Sequence, residues 1–158
     1  MTSRLHPRLT GLLVLAAAIA LQPAPASAQS LTYEEARTAM DAAEADARAN
    51  NWNLTIVIAD AEGVPLYLRR FGGAQPRSYQ IATNKISTAL ASGMSTGEYA
   101  AAVRDGEIEA IEGAFTFEGG YLIRRNGEVI GAMSASGARG SEDAQVVRAG
   151  LAAIGLEP

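Results

Sequence analysis

The chain contains one lysine, Lys85, no cysteine, and one histidine, His6, close to the amino terminus. An isolated amine can charge-pair with an anion or exchange a proton with a carboxylate. Glu118 is followed by Gly119 and Gly120, which sets an acid beside backbone able to approach a ligand closely. Ser136-Gly137 can present backbone N–H groups to an anion. Each feature also has a plainer reading: Lys85 as one half of a structural ion pair with Glu118 or Asp60, Glu118 as the polar start of a turn, Ser136-Gly137 as a turn after a strand. Glu109 and Glu112 stand three apart and would share a cation on a helix, or form a solvated acidic face.

The residue types that are missing exclude much chemistry. Arg4, His6 and Arg8 precede an apolar run from Leu12 to Leu21, Pro23 and Pro25 break it, and Ala26-Ser27-Ala28 places small residues where a signal peptidase reads. The run is half the roughly 20 residues a spanning helix needs. Residues 1–28 are therefore expected to be a cleavable secretory signal and residues 29–158 a single domain, periplasmic or secreted. Such a product has neither His nor Cys, and so no Ser-His-Asp triad, thiol nucleophile, ordinary zinc or copper site, or disulfide framework. Without Arg4 and Arg8 it carries 11 basic against 17 acidic groups, a net charge of −6, which argues against a nucleic-acid partner. No second apolar stretch is long enough to span a membrane.

The elements that must position these residues follow from capping and periodicity. Thr32 with Glu35 makes a capping box and Leu31 a hydrophobic staple for a helix to Asn50-Asn51, with Ala36, Ala39, Met40, Ala43 and Ala47 on one face. That small-residue face is expected to pack closely and to support self-association. Leu54 to Asp60 reads as a buried strand, Ala61-Glu62-Gly63 as a turn, and Pro65 to Phe71 as its hairpin partner. A helix from about Ser78 to Ala91 carries Lys85 and stops at Gly93. Ser95 with Glu98 caps a short helix through Val103; 107–113 gives no clear pattern. Phe115-Thr116-Phe117 suggests a short strand. Tyr121–Arg125 and Glu128–Ala135 flank Asn126-Gly127, the pair that favours a tight primed hairpin turn. Ser141 is expected to cap a last helix carrying Val146, Val147, Leu151 and Ile154. Hairpins without βαβ crossovers predict an α/β (α+β) fold with an antiparallel sheet of about five strands and helices packed on it.

In order and spacing, Leu54–Gly63, Gly72–Lys85, Glu118–Gly120 and Gly131–Gly137 followed by Glu142 and Asp143 resemble the GlcG/HbpS-like haem-degrading domain family over Leu31 to about Gly155. The resemblance implies a profilin-like fold, a homo-oligomer, and haem as cofactor in some members; others occur in glycolate and diol utilisation contexts. It also draws attention to Thr96, which matches a Thr at a helix start in some relatives. Some relatives place His or Cys near the iron. Here the axial candidates reduce to Met94, Met133, Tyr79 and Tyr99, with Lys, a hydroxyl or water as further options. The leading expectation is an exported small-molecule-binding protein, a haem-binding candidate, holding a small anionic or planar ligand with Lys85, Glu118, Gly119, Gly120, Ser136, Gly137 and Thr96. The alternatives are an enzyme or accessory factor acting on a small carboxylate, with Lys85 and Glu118 as its acid/base pair, or a structural oligomer without a ligand.

Overall fold

The computed structural model describes residues 30–156; the expected signal segment and its cleavage site lie outside the described residues. Capping sets the first helix. Thr32 Oγ1 accepts from the Glu35 N–H and the Glu35 carboxylate accepts from the Thr32 N–H, starting α1 (Tyr33–Ala49). The strands β1 (Thr55–Asp60) and β2 (Pro65–Arg70) follow as a hairpin, its turn tied by Asp60 Oδ1, which accepts from the Glu62 and Val64 N–H groups. Next come α2 (Arg77–Ser92) and α3 (Thr96–Arg104), then a second hairpin of β3 (Gly120–Arg125) and β4 (Glu128–Ser136), and finally α4 (Gly140–Ala153). Asn126 and Gly127 both take positive φ, 53° and 85°, the backbone that a primed hairpin turn requires.

The sheet is antiparallel with strand order β2-β1-β4-β3. β1 and β4 are its central pair, which explains why β1 is apolar on both faces. Ile56 and Ile58 enter the core shared with α1 and α4; Val57 and Ala59 pack against Ala82 and Ile86 of α2. The result is three layers, and each fully buried aliphatic side chain contributes about 1.5–3 kcal/mol. Gly150 lets α4 close on its neighbours, because a Cβ there would stand 2.6 Å from Met133 Cε and 2.8 Å from the Ala39 carbonyl.

Several expectations change. Among the described residues the sheet has four strands where about five were expected: Phe115-Thr116-Phe117 is not a strand, since the Phe115 N–H bonds Thr88 Oγ1 of α2 and Phe117 lies exposed. Ser141 is not the cap of α4 but its second residue. Arg139 holds the cap position, with its N–H taken by the Glu142 carboxylate. Glu109 and Glu112 stand in the irregular segment after α3, so helical spacing does not bring them together, and the described residues contain no metal-ligating cluster. The alanine face of α1 is not a contact surface between copies: Ala36, Ala39, Ala43 and Ala47 are wholly buried within the chain's own core. No helix among the described residues is long and apolar enough to cross a membrane.

Candidate functional site

Lys85 lies mid-α2 and is 1 % exposed. Its helix packs on β3 and β4, so the side chain runs between the sheet and the start of α4. There Nζ donates to Asp143 Oδ2 at 2.9 Å and to the Ala135 carbonyl at 2.8 Å. Asp143, in the first turn of α4, also accepts the Ala138 N–H at 3.1 Å through Oδ1. The partner of Lys85 is thus Asp143 and neither Glu118 nor Asp60, and the expected Lys85–Glu118 pair gives way to a Lys85–Asp143 pair. Burial is the larger influence on both groups. It pushes the Lys85 amine down against the opposing charges of Asp143 and Glu118, and pushes the Asp143 carboxyl up against Lys85 and the Ala138 N–H.

The glycines of the turn lie directly on this pair. Gly119 has φ +106°, and a Cβ there would stand 2.6 Å from Asp143 Cβ and 2.8 Å from Lys85 Nζ. At Gly120 a Cβ would meet Thr96 Cγ2 at 2.8 Å and Lys85 Cβ at 2.9 Å. Close packing of the chain on itself therefore demands both glycines. Thr96 is fully buried and accepts the Gly120 N–H through Oγ1 at 3.1 Å, so it positions the turn. Glu118 is exposed, its side chain packed by Gly97 and Gly140, where a Cβ would come within 3.1 and 3.3 Å. Gly137 has φ +143°, and a Cβ there would stand 2.6 Å from the Asn53 carbonyl oxygen, which makes it a structural turn residue. Ser136 is buried at the end of β4 and faces the site.

A cleft of about 260 Å³ opens over the pair, lined by Lys85, Asp143, Ser136, Arg77, Phe115 and Phe117 among others. The sequence reading missed Arg77, Asp143 and the two phenylalanines. A signal for Arg77 was present: 77, 81 and 85 follow helical spacing, and Ile81 also lines the cleft. Arg77 forms no ion pair among the described residues. The Phe115 and Phe117 rings are 5.3 Å apart at 43°, and Phe117 is 64 % exposed.

The proposed axial ligands do not reach this cleft. Met133 and Tyr99 are core residues, 0 and 1 % exposed, and the Tyr99 hydroxyl accepts the Ile111 N–H. Tyr79 is exposed on α2 and does not line the cleft. Met94 lines a separate, wider cleft of about 650 Å³ between α3 and β3, with Glu98, Tyr121 and Arg124.

The family model described as haem degrading protein HbpS-like matches residues 31–152. The chain belongs to the HbpS-like family. It is 31 % identical to protein GlcG of Escherichia coli K12 over 108 residues, 67 % of this chain and 81 % of that one. To the corrinoid adenosyltransferase PduO of Citrobacter freundii it is 30 % identical over 135 residues, 82 % of this chain but 40 % of PduO. Among solved structures, this HbpS-like chain is similar to a PduOC:heme complex, with TM-score 0.74, 27 % identity, and coverage of 80 % of this chain and 96 % of that one. It is also similar to HbpS itself, with TM-score 0.71, 29 % identity, and coverage of 88 % and 97 %.

Proposed function

We propose that this HbpS-like chain is an exported small-molecule-binding protein that holds a small anionic or planar ligand in the Lys85–Asp143 cleft. The observation that carries the reading is the division of charge there. Lys85 is neutralised by Asp143 at 2.9 Å, whereas Arg77 on the same cleft has no ion-pair partner among the described residues. A guanidinium at the rim binds a carboxylate with two parallel hydrogen bonds, and Phe115 and Phe117 offer ring faces to a planar body. Export rests on the amino-terminal signal pattern.

Haem is the candidate that the relatives put forward, and the residues fit it in part. Arg77 would hold a propionate and Phe117 would cover a ring face, while haem when bound supplies an iron centre for redox or oxygen chemistry. Among the described residues, no imidazole, thiolate or thioether lines the cleft. At about 260 Å³ it is also smaller than the roughly 300–1,000 Å³ usual for small-molecule pockets, so it would grip the edge of a macrocycle and leave the rest exposed.

Titration of the purified protein with hemin, followed by absorbance in the Soret region, tests the reading. Saturation at a fixed stoichiometry is expected, weakened by Arg77→Ala and by Phe117→Ala without loss of fold. Binding that both variants retain at full strength would place the ligand elsewhere.

A further inference from the structure

We propose that Lys85 is an imine-forming amine, condensing with the carbonyl of a small α-oxo acid whose carboxylate Arg77 holds, with Asp143 as the proton carrier. The inference rests on the same cleft accepting a small anion and adds a covalent step to it. Three features of the geometry support it. Lys85 and Asp143 both line the cleft and touch at 2.9 Å. Lys85 is the chain's only lysine among 13 basic residues, and unlike a guanidinium its amine can give up a proton and attack carbon. Gly119 closes on the pair without laying a side chain over the amine, where a Cβ would stand 2.8 Å from Nζ. Burial acts in the same direction on both partners, favouring the neutral amine and the neutral acid over the charged pair.

The chemistry balances within the site. The Lys85 ammonium passes one proton to Asp143. The freed amine pair forms a bond to the carbonyl carbon, and the carbonyl π electrons move to oxygen, which takes the proton from Asp143. The nitrogen, now carrying two protons and a positive charge, returns one to the Asp143 carboxylate, leaving a neutral carbinolamine. Asp143 then protonates the hydroxyl, water departs, and the nitrogen pair closes the C=N bond. The iminium keeps one proton and the charge that Lys85 began with, and Asp143 ends as the carboxylate beside it. Glu118, whose charge also acts on Lys85, helps hold the iminium. No oxidant or co-reactant is required.

Pyruvate with cyanoborohydride, added to the full-length folded protein, traps such an imine as a stable secondary amine that peptide mass mapping locates. N-acetyl-lysine methyl ester in the same mixture shows that trapping conditions hold. One adduct on Lys85 is expected, absent in Lys85→Arg and in Lys85→Met, and formed about tenfold less efficiently at low pyruvate in Arg77→Ala. Propionaldehyde, which lacks the carboxylate, should lose this dependence on Arg77. An unmodified Lys85 while the lysine ester is labelled would overturn the proposal, as would labelling confined to the amino terminus. Hemin titration of the same preparations separates this inference from the binding reading: saturable hemin binding with an unmodified Lys85 removes the imine alone, and an adduct on Lys85 without hemin binding supports the imine and removes haem as the ligand.

Discussion

Replacing Lys85 with Met keeps the length of the side chain and removes its charge, leaving Asp143 buried opposite a thioether. The pair is close to fully enclosed, with side chains 1 and 4 % exposed, so solvent screening does not soften the loss. Removing one partner of such a pair costs about 3–5 kcal/mol, mostly through the uncompensated charge left behind. With a urea m-value of about 2 kcal/mol per M for a small domain, the denaturation midpoint should fall by about 1.5–2.5 M. The pH dependence supplies the sharper check. Burial already raises the Asp143 carboxyl, and Lys85 is among the groups holding it down. Without Lys85 the folded state therefore takes up a proton more readily than the unfolded chain does. The penalty is then fully present above the raised folded value and disappears as pH falls toward the unfolded value of about 3.9. The gap between wild type and Lys85→Met should stay constant above the raised folded value and narrow as pH falls through it. A Lys85→Met/Asp143→Leu double variant, with no buried charge, should recover most of the lost stability. A single-variant loss below about 1 kcal/mol, or a gap that stays constant with pH, would refute the assignment of this pair as a buried ionic contact.

Gly119→Ala should cost about 1–3 kcal/mol in urea denaturation from its positive φ and crowding against Asp143 and Lys85; a variant as stable as wild type would show that the turn can move away. Arg77→Ala should weaken hemin or carboxylate affinity by about tenfold, with the melting temperature unchanged because the residue is exposed at the start of α2. Ser95→Ala should lose about 1 kcal/mol by removing the side-chain acceptor of the Glu98 N–H at the start of α3, measured by thermal melting. Expression in a bacterial host with an export pathway should yield protein beginning at Gln29 in the envelope fraction; mass spectrometry finding only chains that begin at Met1 would argue against export.

Local signals determined most of the elements. The capping boxes at Thr32 and Ser95, the left-handed Gly93 after α2 and the Asn126-Gly127 turn depend on hydrogen bonds and backbone preferences spanning a few residues, and the structure forms each as read. The consecutive apolar residues of β1 were legible as a buried strand, and the strand order places it inside the sheet with both faces covered. The approach of Lys85 to the Gly119-Gly120 turn, across more than thirty residues, is a contact that the packing of α2 on β3 and β4 makes. What the sequence could not supply was the partner of each charge. Glu118 and Asp143 are both acids near glycines, and nothing local separates them. The packing of α4 against the sheet places Asp143 at Nζ, while Gly97 and Gly140 receive the Glu118 side chain. Packing likewise enclosed the alanine face of α1, which periodicity alone could not distinguish from a surface shared between copies. Arg77 and Phe117 became cleft residues only once the segment after α3 crossed α2. Short-range hydrogen bonding and periodicity are written along the chain, but which charges lose their water and which stay available to a ligand is decided by contacts between segments far apart in it.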